Sequence, residues 1–141
     1  PRARRKRSAM TQLKCIVVTP EKTVRDQAAD FAALPLYDGE IGIAPRHSPM
    51  IGRLGNGELR IVLDGSPVRY YVEGGFVEVV NNVVSVLTNR AIPAGEIDEA
   101  VAREQLLAAQ QRPAHTPELM AIRQRAVLQA RAQIHVAQRA K

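Results

Sequence analysis

The stretch Glu58-Leu59-Arg60-Ile61-Val62-Leu63-Asp64-Gly65-Ser66-Pro67-Val68-Arg69-Tyr70-Tyr71-Val72 decides the fold class. Leu59, Ile61 and Leu63 alternate with Arg60, Val62 and Asp64, the period of a strand whose two faces meet different surroundings. Asp64-Gly65 supplies the positive-φ positions of a tight turn, and the chain returns through Val68, Tyr70 and Val72 as the second strand of a hairpin. A second pair runs from Phe76 to Val80 and from Val83 to Thr88 around Asn81-Asn82, where asparagine tolerates the left-handed region. Outward from these hairpins, Leu13 to Thr88 is a succession of short β-branched runs punctuated by Gly, Pro, Asn and Asp, enough for ten or so strands. Apolar residues on both faces of the hairpins call for a second layer, so a β-sandwich is expected over residues 11–94.

After Ile92-Pro93 the period changes. Residues 97–141 hold eleven alanines and no glycine, which predicts helix. A first helix is expected from about Asp98 to Gln111, with Asp98 as its cap. Pro113 interrupts, and Thr116-Pro117-Glu118 restarts the chain with a cap, an N1 proline and an early acid. The fold class is thus an all-β sandwich followed by a C-terminal α-helical hairpin over residues 95–141. In the second helix Leu119, Ile122, Ala126, Ala130, Ile134 and Ala137 fall on one face. That stripe is thin in bulky apolar groups, so the hairpin is expected to dock conditionally and to detach.

The chain has 141 residues, with 20 Lys and Arg against 14 Asp and Glu, a formal net charge of +6. Residues 1–10 carry five positive charges and no negative one, residues 11–96 are slightly acidic, and residues 97–141 are basic again. A basic nucleic-acid-binding face on the sandwich is therefore not supported. The opening run is expected to be a disordered basic tail or extension, and the rival reading of the whole chain is a nucleic-acid-associated protein acting through it. No apolar run approaches the roughly 20 residues that span a bilayer, so the chain is expected to be soluble or peripheral.

Catalytic constellations are missing from the sequence. There is no phosphate-binding loop, and Gly52-Arg53-Leu54-Gly55-Asn56-Gly57 lacks dinucleotide spacing. His47, His115 and His135 are far apart, and no His or Cys pair has metal-ligand spacing, so no metal is expected. Cys15, the single cysteine, lies in an apolar strand and is expected to be a buried, inert thiol. Five aromatic residues, two Phe and three Tyr, give little for a base-stacking platform. The residues point to an interaction protein rather than an enzyme.

Three segments carry a resemblance. Gly39-Glu40-Ile41-Gly42-Ile43-Ala44-Pro45-Arg46-His47-Ser48-Pro49 looks like the Gly-x-x-Gly-Ile-Leu-Pro-x-His-x-Pro signature of the epsilon subunit of F-type ATP synthase. Gly74-Gly75-Phe76-Val77-Glu78-Val79 and Val83 to Ala91 resemble that family's second signature, and Val17-Val18-Thr19-Pro20-Glu21 resembles its opening strand. Their order and spacing agree, and the resemblance covers residues 11 to about 141. It implies a non-catalytic rotor subunit that couples proton flow through the c-ring to ATP synthesis. In the family the sandwich grips the gamma shaft and sits on the c-ring. The hairpin folds down on the sandwich or extends to the catalytic beta subunits and inhibits ATP hydrolysis. The implied location is peripheral, on the cytoplasmic side of a bacterial inner membrane.

By the same resemblance the c-ring contact falls on Tyr37-Asp38-Gly39-Glu40, and the gamma interface on His47 and Met50. As bare residues, the first group also reads as a solvated turn, and His47 as a histidine satisfied between Pro45 and Pro49. Arg123, Arg125, Arg131 and Arg139 make the second helix basic, suited to acidic segments of the beta subunits. Some bacterial members bind ATP through an Ile/Leu-Asp-x-x-Arg-Ala motif that reads Ile97-Asp98-Glu99-Ala100-Val101-Ala102 here. Val101 stands in place of the phosphate-pairing arginine, so no cofactor is expected.

Overall fold

The period-two runs assemble into two five-stranded sheets in a computed structural model that describes residues 11–140. The expected basic tail at residues 1–10 lies outside the described residues. In chain order the strands are β1 (Leu13–Val18), β2 (Thr23–Ala29), β3 (Phe31–Leu36), β4 (Gly39–Ile43) and β5 (Met50–Arg53). They continue as β6 (Asn56–Leu63), β7 (Ser66–Glu73), β8 (Phe76–Val80), β9 (Val83–Leu87) and β10 (Ala91–Pro93). The first sheet has the order β2-β1-β9-β8-β5 and the second β10-β7-β6-β3-β4. The β1–β9 pair is parallel and the other pairs are antiparallel.

Both expected hairpins form. Leu63 pairs with Ser66 across Asp64 and Gly65, whose φ values are 52° and 78°. Val80 pairs with Val83 across Asn81 and Asn82, at 51° and 63°. These left-handed pairs match the twist of the flanking strands, which fixes the register. Gly75, at φ 102°, has a steric reason besides: a Cβ there would overlap the Leu87 carbonyl oxygen.

Alternation then sorts the side chains. Leu13, Cys15 and Val17 of β1, Val77 and Val79 of β8, and Val84 and Val86 of β9 point inward from the first sheet. Leu34, Leu59, Ile61, Tyr70 and Val72 meet them from the second. This shared core is the main apolar store of the molecule.

The 3₁₀ turn Ala94–Glu96 leads into α1 (Glu99–Gln110) and α2 (Pro117–Arg139). Asp98 caps α1 by accepting from the Val101 amide at 3.2 Å. Thr116 caps α2 by accepting from the Leu119 amide at 3.1 Å, with Pro117 following in the first turn. The hairpin lies down: α2 packs on the outer face of the second sheet, over β6 and β7. Ala130, Ile134 and Ala137 of the expected stripe are buried, but Ile122 is 44% exposed. Val127, Gln133 and Val136 are buried as well. The reason is that α2 has two neighbours, α1 and the sheet, so it buries two adjacent strips where a single-stripe count sees one.

Candidate functional site

Three surfaces are built by these elements. The first is the turn between β3 and β4. Tyr37, Asp38, Gly39 and Glu40 form its exposed tip, with Gly39 at φ 143°. The Tyr37 amide donates to the Arg53 carbonyl at 2.8 Å, and the Arg53 guanidinium lies 4.4 Å from the centre of the Tyr37 ring. That cation–π contact ties the turn to the edge strand β5 and presents a rigid, mixed-charge tip.

The second surface is the outer face of the first sheet. Register places Ile51 and Arg53 of β5 beside Phe76, Glu78 and Val80 of β8. Val83, Ser85 and Leu87 of β9 continue the row, followed by Lys14, Ile16 and Val18 of β1. Ile51 is 75% exposed, Phe76 58% and Leu87 52%. Exposed apolar side chains on three adjacent strands, β5, β8 and β9, edged by Lys14, Arg53 and Glu78, mark an interaction surface. A groove of about 670 Å³ opens at its end between Val18, Pro20, Arg53, Phe76 and Leu87.

His47 and Met50 sit beside this face without joining it. The half-buried His47 ring donates from Nδ1 to the Ser48 carbonyl at 2.8 Å. Met50 pairs with Val79 and packs its side chain on the core. Next to it Ile51, which sequence reading passed over, is the residue that projects. Phe76 and Leu87 were also missed as a surface. The available signal was the alternation of Phe76, Glu78 and Val80 against the buried Val77 and Val79.

The third surface is the underside of α2. Val136 and Ala132 pack on Tyr71 and Ile92. The Tyr71 hydroxyl donates to Glu73 Oε1 at 2.7 Å. Burial pushes its proton affinity well above the ordinary phenol range, and the Glu73 hydrogen bond and charge add to that, while Gln133 and Arg90 pull the other way. The four α2 arginines do not form one face. Arg123 donates from Nε and Nη2 to the Gln110 carbonyl, both at 3.2 Å, and so caps the end of α1. Arg125 and Arg131 border a groove of about 630 Å³ shared with Tyr37, Arg53, Asn56 and His135. Arg139 reaches Glu58 Oε1 at 3.5 Å.

Among the described residues no reactive groups are gathered. The Cys15 thiol is buried in the core, which pushes its pKa from 9.0 up to about 12. Among the described residues no group of three or more His, Cys, Asp or Glu could hold a metal, and no helix is long and apolar enough to cross a membrane. Val101 is 44% exposed on α1, and Arg103 pairs with Glu99 at 2.8 Å.

Comparison with known proteins places the chain in a family. Residues 12–94 match the family model of the ATP synthase Delta/Epsilon chain, beta-sandwich domain. The ATP synthase epsilon chain of Rhodopirellula baltica is 48% identical over 122 residues, covering 86% of this chain and 95% of that one. The epsilon chain of Carboxydothermus hydrogenoformans is 42% identical over 101 residues, covering 72% of this chain and 75% of that one. A chain in the Euglena gracilis mitochondrial ATP synthase (OSCP/F1/c-ring) shares the fold at TM-score 0.75 and 21% identity, over 96% of this chain and 84% of that one. The chain belongs to the epsilon-chain family of ATP synthases, non-catalytic subunits of that membrane-associated complex.

Proposed function

We propose that the sandwich is the rigid grip of this rotor subunit and the hairpin its movable brake. The observation that carries the reading is the uncovered apolar face of the first sheet. A shaft that transmits torque needs a broad, dry, shape-matched contact, and Ile51, Phe76, Val80 and Leu87 provide the apolar centre of one. The gamma subunit is its occupant, with His47 at the rim and Met50 supporting Ile51 from behind. The turn Tyr37-Asp38-Gly39-Glu40 rests on the c-ring, where its two acids meet basic loop residues.

A core closed between two sheets resists shear, so proton-driven rotation of the ring passes to the shaft without loss in the coupling block. The second sheet then faces away from the shaft and carries the hairpin. In the extended arrangement the α2 arginines approach the catalytic beta subunits and stop ATP hydrolysis. The chain acts peripherally on the cytoplasmic side of a bacterial inner membrane.

The test is to add this chain to an ATP synthase lacking its epsilon subunit, beside a version ending at Gly95. Both versions are expected to bind and restore proton pumping, and only the full chain to inhibit hydrolysis. Phe76→Asp, at an exposed position, is expected to weaken binding about tenfold or more. Failure of both versions to bind would overturn the reading.

A further inference from the structure

Beneath the last turn of α2 lies a carboxylate with more partners than a surface acid needs. Glu58, on β6, is 6% exposed. Its Oε1 is 3.3 Å from Arg60 Nη1 and 3.5 Å from Arg139 Nη1, and its Oε2 is 3.6 Å from Arg69 Nε. Arg60 and Arg69 stand directly opposite each other in the β6–β7 ladder, so the sheet presents two like charges with one acid beside them. Arg139 arrives from the other side, in the last turn of α2.

We propose that Glu58 is an electrostatic latch: its contact with Arg139 selects the docked hairpin, and its loss releases α2 from the second sheet. The inference rests on the reading of the hairpin as movable and names what holds it. The apolar part of the docking face is small, Val136 and Ala132 on Tyr71 and Ile92. Such a face gives the helix a place to lie but little to fix its position along the sheet. Docking also takes Glu58 out of water, and the sheet alone compensates that burial incompletely, since Arg60 and Arg69 approach at 3.3 and 3.6 Å and Oε2 accepts no hydrogen bond. Arg139 compensates for that burial only when α2 sits at one position, so the pair rewards a single register. Because the Arg139 side chain is 44% exposed, the contact is screened and reversible. The last turn of α2 is also where a cation is favoured by the helix carbonyls. Releasing Arg139 to Glu58 therefore uses a charge that the helix end already supports.

The test uses the full chain with spin labels at Ser66→Cys and Gln138→Cys, both exposed positions, and reads the docked hairpin as a single narrow distance by pulsed dipolar spectroscopy. Arg139→Gln is expected to raise the undocked-to-docked ratio about threefold, the scale of a half-exposed pair. Arg139→Glu places a second acid against Glu58, which Arg60 and Arg69 only partly offset, and is expected to raise the ratio further than Arg139→Gln does. Arg112→Gln, the same charge change in the loop between the helices, is expected to leave the ratio unchanged. In a Glu58→Gln background, Arg139→Gln is expected to add nothing. Should Glu58→Gln fail to fold because Arg60 and Arg69 are left facing each other, the Arg139 and Arg112 variants still decide. An unchanged distance in Arg139→Glu, or an equal response to Arg112→Gln, would overturn the latch. Because the measurement needs no other subunit, that failure is distinct from failure of the chain to bind its complex.

Discussion

Tyr70 and Tyr71 are neighbours in β7, yet they serve two different interfaces of the same sheet. Tyr70 turns inward and joins Leu59, Ile61 and Val72 in the core between the sheets. Tyr71 turns outward, is fully buried by α2, and ends in a hydrogen bond to Glu73. The inner face is apolar throughout and is closed by a second sheet that cannot leave without unfolding. The outer face mixes a few aliphatic contacts with Glu58, Glu73, Arg60, Arg69 and Gln133. The difference teaches how one sheet can be both anchor and cradle. Apolar burial fixes the inner partner, whereas paired polar groups hold the outer one and remain stable in water once it departs.

The sharpest way to break this contrast is to remove bulk from each side. Leu59→Ala takes a fully buried side chain from the inner face and is expected to cost about 2–5 kcal/mol. It should lower the unfolding midpoint of the sandwich in denaturant without selective loss of the hairpin. Val136→Ala, equally buried but under α2, should leave that midpoint in place and increase the undocked population. If Val136→Ala destabilised the sandwich as much as Leu59→Ala, the two interfaces would be one cooperative unit and the contrast would fail. Circular dichroism at equilibrium with hydrogen exchange on α2 separates the two results.

What was legible in the sequence follows the range of the interactions. Leu59, Ile61, Asp64 and Gly65 declare their hairpin within a dozen residues, because alternation and turn chemistry are local. Asp98 and Thr116 declare the helix starts for the same reason. The parallel β1–β9 pair left no such mark, since it joins Cys15 to Val84 across most of the sandwich. The apolar face of Ile51, Phe76 and Leu87 was legible only as the alternation within β8, for the same reason. It exists only once β5, β8 and β9 are side by side, and each contributes just one of those residues. The Glu58 cluster draws on β6, β7 and α2, so its four charges read singly as solvated residues. The Tyr37–Glu40 turn, by contrast, was legible as a turn, and its contact with Arg53 was not.

Tyr71→Phe probes the polar side of the contrast with no change in shape. Removing the hydroxyl leaves Glu73 Oε1 without that donor and Gln133 without its contact to the Tyr71 oxygen. A hydrogen bond to a charged group is worth about 1.5–3 kcal/mol. The loss is expected in the docking equilibrium, read by the same spin-label distance, with the sandwich midpoint nearly unchanged. Tyr70→Phe, as the inward-facing control, should leave docking as it is.

The smallest effect separates the two faces by pH. Burial raises the Cys15 thiol from 9.0 to about 12. Between those values the unfolded chain has released the thiol proton and the folded chain has kept it. The folded state therefore binds more protons, and stability falls as pH rises through this window, by about 1.4 kcal/mol per unit at most for one group. Cys15→Ala should lose some stability at neutral pH through lost packing, but its stability should fall less steeply above pH 9 than that of the unaltered chain. Tyr71 is raised as well, so alkaline conditions should also weaken the folded state through the α2 face, and this part should persist in Cys15→Ala and disappear in Tyr71→Phe. Denaturant midpoints for Cys15→Ala and the spin-label distance for Tyr71→Phe, each followed from pH 8 upward, divide the alkaline loss between core and cradle. A slope untouched by Cys15→Ala would mean that the thiol meets water in the folded state, and that the core between the sheets is looser than its packing implies.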